Sequence, residues 1–261
     1  MSRRRGLVAG ALLLAVALTG CTDVAADSGS PSSPSPKPSA TPSSTPSATP
    51  SSTPSSTPTV KPTVKPPVKP KQINYALEVE RKLDAWGYPV GDVDGDITVR
   101  ARQALCAYRE TAGLPVSRGR LTTADVRSVL TATKKPVPTK STGIYVNKTC
   151  QVLYQVVNNT YRRIVWVSTG GPGYETPNRT GKVWRKWAGA HESSLYDDAF
   201  MYDSLYFLKD RPGIALHGSR VNSLIKTYPA SHRCVRVMRP QIHQIFKETP
   251  IGTKVQVYGE Y

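Results

Sequence analysis

Between about Asp27 and Lys71 the chain is almost wholly Ser, Thr, Pro, Ala, Val and Lys, with prolines at every fourth position: Pro42, Pro46, Pro50, Pro54 and Pro58, then Pro62, Pro66 and Pro70. Such a stretch has no apolar surface to bury. Its proline density favours extended polyproline II, which at about 3.1 Å per residue could reach on the order of 100 Å. Any fold must therefore form from the residues behind it, and residues 22–71 are expected to be a linker.

What precedes the linker is a leader. Arg3, Arg4 and Arg5 stand before an apolar run from Leu7 to Leu18 that is too short for a stable membrane anchor, so it reads as a secretory signal. The run closes on "LTGC", which resembles the bacterial lipobox. That resemblance implies a diacylated Cys21 as the mature N-terminus and assigns residues 1–21 as a lipoprotein signal; the alternative is an ordinary cleaved signal with Cys21 lost. The expected location is outside the cytoplasmic membrane, lipid-anchored to its outer face and reaching into the cell wall. The net charge of +17 then suits an anionic wall or lipid headgroups. It points to no nucleic acid, since no nucleic-acid motif accompanies it.

From Gln72 to Lys134 the pattern is helical. "YALEVERKLDAWGY" carries Leu77, Val79, Leu83 and Trp86; "TVRARQALCAYRETAG" carries Val99, Ala104, Leu105 and Tyr108; "TTADVRSVL" opens on a capping threonine. Three short helices are expected. The Gly/Asp-rich "GYPVGDVDGDIT" between the first two lacks the ligand spacing and closing glutamate of an EF-hand loop. The signatures "WGY…VDG…T" and "GLPV…G" resemble the peptidoglycan-binding domain family, small three-helix modules, which implies wall binding by residues 72–134; a structural spacer is the alternative.

After a linker at 135–141, residues 142–261 read as a mainly β domain, sandwich-like with one short helix. "GIYVNKTCQVLYQVVNNTYRRIVWVSTGG" alternates apolar and polar residues on both sides of "NNT", as a hairpin does, and "DSLYFL", "GIALHG" and "TKVQVYGEY" read as further strands. "RPQIHQIFKET" is the helix. The fold class is thus multidomain, an all-α module followed by a β domain. Beside a bacterial lipobox, the N-x-[ST] matches at Asn147, Asn158 and Asn178 are discounted as glycosylation sites.

With Cys21 assigned to the lipobox, Cys106, Cys150 and Cys234 remain. An odd number outside the cytoplasm calls for an intermolecular pair or one thiol kept free. A Cys106–Cys150 bridge would clamp the two segments together; burial of either cysteine unpaired is the other reading. Cys234 differs in its neighbours. Two of the chain's four histidines, His217 and His232, fall within eighteen positions of it, along with Arg233 and Arg236. A free thiol, with a pKa of about 8.5, needs a base or positive charge close by to attack carbonyls. In an extended segment His232 would share a face with Cys234, and His217 could reach it from a neighbouring strand.

His217 followed by Gly218, the thirteen residues between His217 and Ser231, and "SHRCVR" resemble the signature of bacterial L,D-transpeptidase catalytic domains. "VSTGG…TPNRTGKVW", the "RPQI" helix and "TPIGTKVQVY" fall in that family's order, and the likeness covers residues 142 to 261. It implies Cys234 as nucleophile and His217 as general base, its other ring nitrogen steadied by a backbone carbonyl near Gly218. It further implies an oxyanion site from the backbone N–H groups of Arg233 and Cys234, with His232 as an alternative donor, an ordering role for Ser231, and a loop or carboxylate contact for Arg236. The implied reaction joins third-position residues of peptidoglycan stem peptides through a thioester, releasing D-alanine, with no cofactor or metal and with carbapenem acylation of Cys234. One position departs: where the family carries glycine before the cysteine this chain has Arg233, strained if the position needs positive φ.

Trp184, Trp187, Tyr202 and Tyr206 could line a substrate groove or fill the core. His191 is either a cleft residue or an ordinary one, and His243 reads as surface. Rival functions are a zinc-dependent hydrolase using His217, His232 and Cys234, a cysteine peptidase with another substrate, and a catalytically inactive wall-binding lipoprotein.

Overall fold

A computed structural model describes residues 73–194, 196 and 199–261. All described residues belong to one compact unit. The expected signal, Cys21 and the whole proline-rich linker lie outside the described residues.

Three capped helices come first. α1 (Tyr75–Ala85) begins at Asn74, whose side chain accepts from the N–H groups of Ala76 and Leu77. Thr98 caps α2 (Val99–Thr111). Thr122 and Asp125 form a reciprocal capping box on α3 (Thr123–Thr131), satisfying donors that a helix end leaves orphaned. The same Asp125 carboxylate takes a buried, two-pronged contact from Arg109 of α2. Val79, Leu83, Leu105, Tyr108 and Val129 of these helices share one core with Val152, Tyr154, Val156 and Ile164 from the sheet. Where the sequence suggested two units separated by residues 135–141, the apolar faces of the helices are buried against the strands.

Two polar features reinforce that seam. Cys106 of α2 is disulfide-bonded to Cys150, leaving Cys234 as the free cysteine among the described residues. Glu110 at the end of α2 accepts from Asn147, Tyr154, Tyr258 and Lys140. Burial alone would raise its pKa, but these donors outweigh it and hold the carboxyl below its ordinary value.

The strands are β1 (Gly143–Asn147), β2 (Val152–Val157), β3 (Thr160–Ser168), β4 (Arg179–Lys182), β5 (Arg185–Glu192), β6 (Phe200–Tyr206), β7 (Ala215–Ser219), β8 (Val235–Val237) and β9 (Lys254–Tyr258), with α4 (Arg239–Glu248) between the last two. They form one sheet ordered β4-β9-β1-β2-β3-β8-β7-β6-β5. The β1–β9 and β7–β8 pairs are parallel and the others antiparallel. The β2–β3 turn has Asn158 and Asn159 both at positive φ, the residue type and conformation that two-residue hairpin turns favour.

The sheet curls about a second core. Ile144, Leu153, Val255 and Val257 from one half meet Leu205, Leu216 and Val235 from the other, and α4 inserts Ile242 and Ile245 among them. The consecutive strands β4 and β5 sit at opposite ends of the strand order, and the chain between them nearly closes the curl: the N–H of Val183 donates to Thr253 and that of Trp184 to Tyr206. Gly181 allows this approach, since a β-carbon there would lie 2.1 Å from the carbonyl oxygen of Phe207.

Candidate active site

The parallel β7–β8 pair aligns Leu216 with Val235 and His217 with Arg236. Side chains alternate across a strand, so His217 and Arg236 share a face, and Cys234, two residues before Arg236, is a diagonal neighbour of His217 on that face. Leu216, Val235 and Val237 point the other way, into the core with α4. Gly218 also faces α4: a β-carbon there would press within 3.0 Å of Ile242 and 3.2 Å of Arg239.

His217 and Cys234 line one cavity of about 460 Å³, with Ser231, His232, Arg220 and Arg236 at its wall. Both side chains are nearly covered, His217 at 6% and Cys234 at 5% exposure. The His217 ring donates through Nδ1 to the Gly218 carbonyl at 2.8 Å, which leaves Nε2 with its lone pair. Burial drives the His217 pKa down to about 4, helped by the Arg236 charge and opposed by the Gly218 bond. Burial pushes the Cys234 thiol up to about 11, against the Ala215 backbone bond and Arg236. The resting pair is therefore neutral thiol and neutral imidazole.

The turn carrying the cysteine is strapped from behind. Gly170 and Ser231 form a β-bridge, and Ser231 exchanges backbone bonds with Thr169 and Gly171. Gln151 holds Thr169 through both its backbone N–H and its hydroxyl. Thr176 accepts from the Gly170 N–H at 2.8 Å and donates to the Cys234 carbonyl at 3.3 Å. Arg236 reaches back to the Ala230 carbonyl at 3.0 Å, a loop-holding contact. The sequence singled out the "VSTGG…TPNRTGKVW" stretch as a motif; Thr169, Gly170, Gly171 and Thr176 in it bond to the turn that carries Cys234.

Arg233 has φ of +71°. A β-carbon in this left-handed region costs roughly 1–2 kcal/mol. Its N–H donates to the Tyr174 carbonyl at 2.9 Å, so it is not free for the oxyanion role that the resemblance implied. His232 is exposed and packs its ring against Tyr174 at 4.7 Å and Tyr196 at 4.9 Å, at the cavity wall rather than alongside the thiol on a strand. A zinc site would need His217, His232 and Cys234 to converge; among the described residues no three His, Cys, Asp or Glu side chains form such a group.

Of the aromatics considered from sequence, Tyr206 lies on the site face. It clusters with Met201, Ala215 and Cys234, and Trp184 packs on that cluster. Tyr202 does not. It is paired with Gly218 on the α4 side, where the Arg239 guanidinium covers its ring at 4.1 Å. His191 is a buried site-face residue, bonded to the Tyr206 hydroxyl at 3.2 Å and stacked on Trp187. His243 is exposed and contacts Asp203.

A buried thiol and imidazole on one face of a curled sheet, with the imidazole tautomer fixed by a backbone carbonyl, are the groups that acyl transfer through a thiol uses. Residues 141–257 match the family described as YkuD, L,D-transpeptidase catalytic domain. The solved L,D-transpeptidase from Xylanimonas cellulosilytica DSM 15894 is 30% identical, covering 70% of this chain and 92% of its own, with a TM-score of 0.49. That from Stackebrandtia nassauensis is 21% identical, covering 71% and 91%, with a TM-score of 0.45. One from Mycobacterium tuberculosis H37Rv is 16% identical, covering 44% and 56%, with a TM-score of 0.39. No curated protein matches the chain. The chain belongs to the YkuD family and carries its L,D-transpeptidase catalytic domain.

Proposed function

We propose that this L,D-transpeptidase cross-links peptidoglycan between third-position residues of two stem peptides, through a thioester on Cys234. The observation that carries the reading is the neutral, buried Cys234–His217 pair, with Nδ1 of His217 committed to Gly218. A thiol with a pKa of about 11 is not a standing nucleophile. It becomes one when His217 Nε2 takes its proton as Sγ closes on the carbonyl between the third residue and terminal D-alanine. The Cys234 N–H would stabilise the oxyanion, a contribution of about 3 kcal/mol per donor in comparable sites.

The imidazolium then protonates the departing amine of D-alanine, the C–N bond breaks and the thioester remains. An amine of a second stem gives its proton to Nε2 and forms the new amide as the C–S bond breaks, returning the thiol. Water in its place gives carboxypeptidase action. The bond energy of the D-alanine amide passes to the new cross-link, so no nucleotide is needed.

The lipobox-like Cys21 and the linker support anchoring at the outer face of the cytoplasmic membrane, and the α1–α3 segment is proposed to bind wall polymer beside the catalytic sheet. The test is intact-mass analysis of the full chain in detergent with meropenem and with a tetrapeptide stem. One adduct and released D-alanine, both lost in Cys234→Ala, are expected. A folded wild-type chain that gives neither overturns the reading in favour of an inactive wall-binding protein.

A further inference from the structure

The turn that carries Cys234 is held by one neighbouring segment. Thr169 accepts from the N–H groups of Ala230 and Ser231, Gly171 donates to the Ser231 carbonyl, Tyr174 accepts from Arg233 and Thr176 donates to the Cys234 carbonyl. The geometry of the nucleophile's backbone is thus inherited from residues 169–176. That strap is in turn held at both ends by the connection between β1 and β2. Lys148 donates through Nζ to the Thr176 carbonyl at 3.2 Å, and Gln151 grips Thr169.

Gln151 is fully buried, and its φ of +53° is a left-handed conformation that residues with a β-carbon seldom take. A buried amide is costly unless both its ends are bonded, and here both are. Oε1 accepts from the Thr169 N–H at 2.9 Å, while Nε2 donates to the Thr169 hydroxyl and to the Lys148 carbonyl, each at 2.8 Å. The Thr169 N–H needs an acceptor and the Lys148 carbonyl a donor, so the amide fits one way round. From the other side α2 fixes the backbone of this residue: Cys106 is bonded to Cys150, and Gln103 donates to the carbonyls of Cys150 and Gln151. An apolar side chain would fill the same space without setting a register. Backbone strain of this kind persists where the side chain has a use.

We propose that Gln151 is a positioning residue for acyl transfer: acting through Thr169 and the 169–176 strap, it sets where the Cys234 N–H meets the developing oxyanion. The inference rests on the transpeptidase reading and adds to it a group outside the cavity of the nucleophile. One consequence separates this role from packing alone. Loss of register should slow the step that builds charge on a carbonyl oxygen. It should spare displacement of iodide from a saturated carbon by the same thiol, which builds no such charge.

Full-length wild type, Gln151→Ala and Gln151→Glu are compared in detergent. Three rates are read on each: meropenem acylation by intact mass, D-alanine release from a tetrapeptide stem, and iodoacetamide alkylation of Cys234. Gln151→Ala should slow acylation by about tenfold to a hundredfold, approaching the loss of one oxyanion donor. Release should fall in kcat with KM unchanged, since the interaction is made only in the transition state. Alkylation should match wild type. Gln151→Glu keeps an acceptor for the Thr169 N–H and should recover part of both acyl-transfer rates; it also carries the test should the alanine variant fail to fold. Wild-type acylation rates in the variants, or acylation and alkylation falling together, overturn the inference and leave Gln151 a packing residue in an active enzyme. Wild type that neither reacts with meropenem nor releases D-alanine overturns the transpeptidase reading and this inference with it.

Discussion

The Nδ1 proton of His217 goes to the carbonyl of Gly218, its own successor in β7, at 2.8 Å. A backbone oxygen cannot ionise, so it fixes the tautomer of the ring without adding a charge beside it. His217→Ala should therefore lower D-alanine release by about 10²–10⁴-fold, the usual value of a positioned base, with a near-wild-type melting temperature at pH 7. Release kinetics and thermal unfolding of the same sample check this.

Neutrality of the pair makes a second expectation. With the thiol near 11, its alkylation by iodoacetamide should keep rising from pH 7 to pH 10. A plateau between pH 6 and 8, the mark of a preformed thiolate–imidazolium pair, would contradict the neutral resting state. Mass spectrometry of Cys234 labelling against pH distinguishes the two.

Burial of neutral His217 also sets an acid limit. Its folded pKa of about 4 lies below the ordinary 6.5, so the unfolded chain binds more protons in that interval. This stabilisation is complete above pH 6.5 and is lost as pH falls through 4, by about 3 kcal/mol. Cys234 acts in the opposite window: its raised pKa makes stability fall as pH climbs above 9 toward 11. His217→Asn should flatten the acid side of a melting-temperature profile.

Arg233→Gly should stabilise the fold by about 1 kcal/mol, the relief of left-handed strain less the added freedom of glycine when unfolded. Differential scanning calorimetry should register a rise of roughly 2–4 °C for a unit of this size.

Glu110 is the opposite case, a partly buried anion of α2 whose donors Lys140, Asn147 and Tyr154 lie across the helix–sheet seam. Glu110→Ala leaves those donors unpaired and should cost about 3 kcal/mol or more. Denaturant unfolding with the Cys106–Cys150 disulfide intact measures it. In wild type this contribution is present above the ordinary carboxyl pKa and is lost as pH falls through the lowered folded value.

Much of this architecture was legible in the sequence because local chemistry and global fold agree. Thr122 announced α3, Asn158-Asn159 announced the β2–β3 hairpin, and the apolar stripe of "RPQIHQIFKE" announced α4. The strands that were not foreseen lack such signals. β5 is a mostly exposed edge strand with a register shift between Trp187 and Ala190, and β8 is three residues long. Tyr202 and Tyr206 illustrate the limit most clearly. Strict alternation puts residues 202 and 206 on one face, but a register shift between Tyr202 and Leu205, with Asp203 at positive φ, turns Tyr202 to the helix and keeps Tyr206 beside the thiol. His191 was ambiguous for a related reason: its place depends on which strand pairs with β6, a long-range fact.

β9 lies between β4 and β1 in the interior of the sheet, although it comes after every other strand in the chain. A ribosome or an export channel delivers the polypeptide from its beginning, so β1 and β4 emerge long before the strand that must separate and pair them. The half of the curl that holds β1 cannot be completed until that late arrival, and such long-range pairing is slow and exposes edges meanwhile. Maturation of this protein is thus timed by β9: a chain cut before β9 should accumulate as a protease-sensitive species, Cys234 and His217 intact in sequence but never brought together.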